Sequence, residues 1–194
     1  MVEGLSLIPY NKPNTKGIIP MYEKTITSEI AYNGGFIKIK KDKVLLGNGK
    51  ESFREVMLHP GACAVVPVMP DGRIILVRQF RYAFMKEFLE IPAGKIDPNE
   101  EILSCARREL SEEIGYDSEN MRYLGKICPS CGCMNEVIHL YVAENLYEHQ
   151  LSPDEDEDLQ LVYVTRDEAL AMIASGEIDD AKTICALLRY FFGV

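Results

Sequence analysis

One stretch constrains this chain more than any other: Gly94–Tyr116, GKIDPNEEILSCARRELSEEIGY. Leu103, Ala106, Leu110 and Ile114 recur at helical spacing and form one apolar face. Asp97 and Pro98 mark its start, with Asp97 as N-cap, Glu100 in capping-box register and Gly115 as the stop. Three carboxylates crowd the other side: Glu109 and Glu113 at i,i+4, and Glu109 and Glu112 at i,i+3. Like charges at these spacings cost a helix about 0.2–0.5 kcal/mol per pair. A cluster that opposes its own helix suits a hard divalent cation such as Mg2+, which takes oxygen ligands. The plain alternative is a solvated acidic face bridged by Arg108, four residues before Glu112.

The chain as a whole has the composition of ordinary soluble material: 194 residues, 47% hydrophobic, without Trp, and with a formal charge of −9. That length fits one domain with a full core. An acidic balance weighs against a general nucleic-acid or anionic-membrane binder. The charge is uneven. Residues 1–96 hold 14 basic and 9 acidic side chains, and residues 97–194 hold 7 and 21. The longest apolar run, Ala62–Met69, is far too short to span a membrane. The N-terminus lacks the pattern of a signal peptide, so a cytoplasmic protein is expected.

Residues 1–20 read as an arm. Glu23–Tyr32 and Phe36–Val44 alternate around Asn33-Gly34-Gly35 and predict a hairpin. Ser52–Leu58 predicts a third strand. Ala62–Val68 and Arg73–Gln79 flank Pro70-Asp71-Gly72, a second hairpin signal, and Phe88–Ile91 is a short strand. After the acidic helix come strands near Arg122–Ile127, Val137–Ala143 and Leu159–Val164. Thr165, boxed by Glu168, starts a helix through Ser175, and a last helix covers about Asp180–Phe192. Strands, helix, strands, helices: the order predicts an α+β domain with a mixed β-sheet, not a doubly wound one.

Of six cysteines, Cys63, Cys105 and Cys185 sit in apolar contexts and read as core residues. Cys128, Cys131 and Cys133 form C-x-x-C-x-C. A structural zinc site needs a second ligand pair that is missing nearby, so a tight turn is favoured over a metal module.

Gly94, Glu100, Arg108-Glu109-Leu110, Glu112-Glu113 and Gly115 occupy the fixed positions of the Nudix box, with Tyr116 where an aliphatic residue is usual. The chain therefore resembles the Nudix hydrolases. Arg54-Glu55, His59-Pro60-Gly61-Ala62, Val77–Tyr82, Leu89–Gly94, Pro129–Glu136 and Ala181-Lys182-Thr183 extend the resemblance to the ADP-ribose pyrophosphatase branch, over roughly residues 20–192. Cys131 stands where that branch usually carries proline.

The resemblance implies a Nudix-type fold, with a mixed β-sheet sandwiched between helices. Residues 1–58 would be an N-terminal β-rich extension that dimerises, and residues 59–194 the hydrolase domain. It implies a Mg2+-dependent cleavage, with Mn2+ as substitute, of ADP-ribose or a related nucleotide sugar to a nucleoside monophosphate and a sugar phosphate. GDP-mannose or a dinucleoside polyphosphate are alternative substrates, and a non-catalytic nucleotide sensor is a further alternative. Glu109, Glu113 and the Ala93 carbonyl would be metal ligands. Glu112 and Glu90 would be outer or additional metal groups, and Arg108 would orient Glu112. Within Pro153–Asp158, Glu155 would be the general base and Glu157 a further ligand, or the reverse. Arg54, Arg81 and Glu136 would contact substrate, and Tyr22, Phe36 or Tyr82 would stack on the base. The partner is a nucleoside diphosphate-linked small molecule, and a homodimer is expected.

Overall fold

Strand-forming residues dominate the first half of the chain, and they build three sheets. The computed structural model describes residues 22–151 and 159–193. In chain order, β1 (Lys24–Asn33), β2 (Lys38–Leu45) and β3 (Glu51–Leu58) form an antiparallel sheet in that order. β4 (Ala62–Pro67) and β5 (Ile74–Arg81) follow, then β6 (Lys86–Glu90), β7 (Ala93–Lys95) and helix α1 (Ile102–Ile114). The two-residue strands β8 (Tyr116–Asp117) and β11 (Tyr147–Glu148) pair with each other. β9 (Asn120–Ile127), β10 (Ile138–Glu144), β12 (Gln160–Val164), α2 (Arg166–Ser175) and α3 (Ala181–Phe192) complete the chain.

The central sheet runs β7-β4-β10-β9. β10 is parallel to β4 and antiparallel to β9, so the sheet is mixed, as expected. The third sheet, β12-β5-β6, is antiparallel. Side chains alternate between faces along a strand, and that period divides the core in two. Cys63 and Val65 of β4 and Ile75 and Val77 of β5 pack with Cys105, Ala106, Leu110 and Ile114 of α1. Ala64, Val66, Ile74 and Leu76 pack instead with Ala186 and Leu187 of α3. The strands are thus sandwiched between α1 and α3. Because both faces of β4 are covered, its sequence shows an unbroken apolar run.

Three local expectations change. Pro70-Asp71-Gly72 does turn the chain, with Gly72 at φ 85° and its N–H on the Met69 carbonyl at 2.8 Å. One bridge, Val68 to Ile74, follows before β4 and β5 part into different sheets. Each has longer-range partners, so the turn does not make a hairpin. Asp97 does not cap α1. Its N–H donates to Glu100 Oε2 (2.9 Å) and its carbonyl accepts the Glu100 N–H (3.0 Å), in a turn with Asn99 at φ 66°. α1 begins only at Ile102, after Glu101, which supplies no side-chain cap. Leu103, in the first turn of α1, is 46% exposed, whereas Cys105 is buried. The Asn33-Gly34-Gly35 hairpin, the Thr165/Glu168 capping box and the Gly115 stop form as read.

Candidate active site

The Ala93–Lys95 strand lies directly against α1, and two of the box carboxylates pack onto its backbone. Gly94 has no side chain there because a Cβ would collide with the Glu109 carboxylate. Glu113 Oε2 accepts the Ala93 N–H at 3.2 Å. Both glutamates are buried to 7% exposure. Glu109 against Gly94 and Glu113 on the Ala93 N–H therefore lie along one line of contact between α1 and β7.

Arg108 is the hub of the acidic cluster. Its Nε and Nη2 donate to the two oxygens of Glu100 (2.8 and 3.0 Å), and its Nη1 donates to Glu109 Oε1 (2.7 Å) and Glu112 Oε2 (2.9 Å). Nη2 also reaches the Lys95 carbonyl at 3.0 Å. The bond from Arg108 is the largest influence on Glu100 and holds its carboxyl down at about 2. The same carboxylates hold Arg108 protonated. Arg108 does contact Glu112, as expected, but it also ties the acids of α1 to the preceding turn and to β7. Among the described residues, no three His, Cys, Asp or Glu side chains converge as a ready metal site.

Ala93 and Gly94 also line a cleft of about 410 Å3, bordered by Phe36, His59, Arg81, Lys95, Glu136 and Lys182 among others. Arg81 and Glu136 thus share one cavity with the Ala93-Gly94 backbone. Glu136 Oε1 lies 3.5 Å from His59 Nδ1, which accepts the Gly61 N–H at 3.1 Å. Phe36 stands at the rim with Lys95 Nζ 4.2 Å above its ring centroid. Of the three aromatic candidates it is the one in the cleft. Tyr82 lines an adjoining hollow of about 260 Å3, and Tyr22 is exposed at the start of the first sheet.

Arg54 is elsewhere. It lies on β3, where it pairs with Glu23 and bonds Ser52 Oγ (3.2 Å) and the Phe53 carbonyl (2.8 Å). Glu90 is buried, with both oxygens engaged by Arg81 (2.7 and 2.8 Å) and one also by Lys182. Burial alone would raise its carboxyl, but these cations outweigh burial and lower it. Glu155 and Glu157 fall outside the described residues. Cys128, Cys131 and Cys133 are exposed thiols along a turn whose Pro129 borders the cleft. Lys95, His59 and Lys182 were absent from the sequence-derived site. Single side chains carry no spacing signal, although His59 and Lys182 do sit inside the His59-Pro60-Gly61-Ala62 and Ala181-Lys182-Thr183 matches.

The chain that carries this site is similar to known proteins. The NUDIX domain model matches residues 57–187. The chain belongs to the NUDIX domain family. NUDIX relatives include the methanol dehydrogenase activator of Bacillus methanolicus, 42% identical over 167 residues covering 85% of this chain and 90% of that protein. The ADP-ribose pyrophosphatase of Bacillus subtilis (strain 168) is 41% identical with the same coverage. The GDP-mannose pyrophosphatase of Yersinia enterocolitica is 35% identical over 74% of this chain and 80% of its own. In fold, the NUDIX architecture here superposes on the crystal structure of an ADP compounds hydrolase with a TM-score of 0.78, covering 89% of this chain and 97% of that one, at 24% identity.

Proposed function

We propose that this protein hydrolyses the diphosphate of ADP-ribose or a related nucleotide sugar, giving a nucleoside monophosphate and a sugar phosphate, with Mg2+ or Mn2+ as cofactor. One observation carries the reading: Glu109 and Glu113 rest on the Ala93-Gly94 backbone that also walls a cation-lined cleft. Two buried carboxylates and a carbonyl are hard oxygen donors, the set that Mg2+ takes. A divalent ion held by Glu109, Glu113 and the Ala93 carbonyl would supply charge neutralisation at the diphosphate and activation of water.

The chain's own groups supply the rest. Arg108 holds Glu109 and Glu112 against mutual repulsion. The Arg81 guanidinium suits phosphate oxygens. Phe36 offers a face for the base, and Glu136 accepts from a ribose hydroxyl. Glu155 takes the proton from the attacking water and Glu157 serves the metal, or the two exchange roles, as the resemblance implies.

Residues 1–58 are read as a dimerising extension of the hydrolase domain. All ten residues of β1 are exposed, and Ile26, Ile30, Tyr32 and Phe53 leave the first sheet with apolar surface to cover. In a homodimer, Arg54, remote from its own cleft, would serve the partner's. All six cysteines are free thiols, which fits a reducing cytoplasm. Among the described residues no helix is long and apolar enough to cross a membrane.

A GDP-mannose-type substrate is the second reading. It is favoured by the Yersinia relative and by Cys131 at the position where the ADP-ribose branch usually has proline. The test of the chemistry is Glu113→Gln, assayed for AMP release from ADP-ribose in Mg2+. Loss of turnover with an unchanged circular dichroism spectrum supports the assignment, and full activity overturns it.

A further inference from the structure

Helix α3 delivers to the cleft a cation that the box does not include, and it does so through a closed circuit of bonds. Glu90, 2% exposed, receives Arg81 Nε on Oε1 (2.7 Å) and Arg81 Nη2 on Oε2 (2.8 Å). Lys182 Nζ donates to the same Oε2 and to Asp180 Oδ2 at 3.1 Å. Asp180 Oδ2 also accepts the Thr183 N–H (2.9 Å) and hydroxyl (2.6 Å), and the Thr183 Oγ1 accepts the Ile91 N–H (3.0 Å). Ile91 follows Glu90 directly in the chain. The circuit therefore starts and ends at the tip of β6, and Thr183 within it is fully buried.

Charge counting gives the circuit a purpose. Arg81, Lys182, Glu90 and Asp180 balance in formal charge, so what the circuit supplies is a fixed geometry. Asp180 also caps α3, where the helix dipole and two Thr183 donors stabilise its charge and fix its place. Arg81, Lys182 and Asp180 all border the cleft. Arg81 spends Nε and Nη2 on Glu90, and its Nη1 has no hydrogen-bond or ion-pair partner among the described residues. Both donor nitrogens that Arg81 gives up are locked by one buried carboxylate, so the direction of the guanidinium is fixed.

We propose that Lys182 is a positioning residue for diphosphate binding: by sharing Glu90 with Arg81, it anchors the buried carboxylate that holds the guanidinium, and so keeps Arg81 oriented toward the substrate's phosphates. This rests on the diphosphate-hydrolase reading above. Glu90 is then the counter-ion of the phosphate-binding wall.

The test compares wild type, Lys182→Met, Lys182→Arg, Arg81→Met and the double variant Lys182→Met/Arg81→Met. In steady-state hydrolysis of ADP-ribose, Lys182→Met is expected to raise KM about tenfold, the scale of one charge-assisted contact, with kcat changed far less. Lys182→Arg recovers most of that loss. The double variant is no worse than Arg81→Met, since Lys182 acts through Arg81. An unchanged KM in Lys182→Met, or losses that multiply in the double variant, overturns the proposal. Calorimetric binding of inorganic pyrophosphate reads the same wall without turnover, and the same order of affinities is expected. If wild type binds pyrophosphate, and Lys182→Met binds it about tenfold more weakly, the proposal stands even where ADP-ribose is not cleaved, and only the substrate reading fails. Equal pyrophosphate affinity in the two proteins, or none in wild type, overturns the proposal itself.

Discussion

A methyl group on Gly94 would stand where the Glu109 carboxylate now lies. The far end of Glu109 can swing aside cheaply, so Gly94→Ala is expected to leave the melting temperature nearly unchanged. Activity should suffer, because the displaced carboxylate is a proposed metal ligand. Losing an outer partner of a ligand costs 10–100-fold, so displacing the ligand itself should lower kcat/KM by about 100-fold or more. Glu100 gives a pH prediction. Its carboxyl is held near 2 in the folded protein by Arg108, below the ordinary value of 4.5. Its contribution is therefore complete above the unfolded value and lost as pH falls from 4.5 toward 2. Melting temperature should drop through that window, and Glu100→Gln should flatten the slope. Single residues also set thiol chemistry. Cys128, Cys131 and Cys133 are exposed, whereas contact with Cys63 and burial push the Cys105 thiol up. An aromatic disulfide reagent should titrate the first three quickly, and Cys63 and Cys105 only after unfolding. The acids of α1 were legible at this scale because carboxylates three and four residues apart leave a spacing pattern. His59, Lys95 and Lys182 were not, because each reaches the cleft from a different element.

At the level of elements, legibility followed the range of the interactions. The α2 cap was readable because Thr165 and Glu168 satisfy each other within one turn, at 3.3 and 2.7 Å. The same signal at Asp97 misled, because the Glu100 carboxylate is also claimed by Arg108, eight residues away. The strands were readable from alternation and apolar runs. Their grouping was not, since β4 chooses β10 and β7 over its neighbour β5 through contacts far apart in sequence. Beside the Lys182–Glu90 pair, one buried hydroxyl joins α3 to Ile91 at the end of β6. Thr183→Val keeps the shape but leaves the Ile91 N–H without its acceptor, and it should cost about 1–3 kcal/mol of stability in a denaturant melt.

Over the whole molecule, the charge asymmetry has a structural sense. Residues 97–119 hold eight acids and two bases, among them the α1 cluster, whereas Arg81 and Lys95 in the cleft come from the more basic half. An acidic protein can therefore take an anionic diphosphate where divalent metal reverses the local field. The exposed first sheet predicts a mass in sedimentation of twice the 21.9 kDa protomer, and a fully active monomer would exclude the dimer reading. The central claim is metal-dependent cleavage of a nucleotide-linked diphosphate, and product analysis of the intact protein with a panel of such compounds tests it most directly. With Mg2+, ADP-ribose or a related nucleotide sugar should yield a nucleoside monophosphate and a sugar phosphate, with the highest kcat/KM of the panel, and a chelator should stop the reaction. No cleavage of any member in saturating Mg2+ or Mn2+, or turnover that a chelator leaves unchanged, would contradict it.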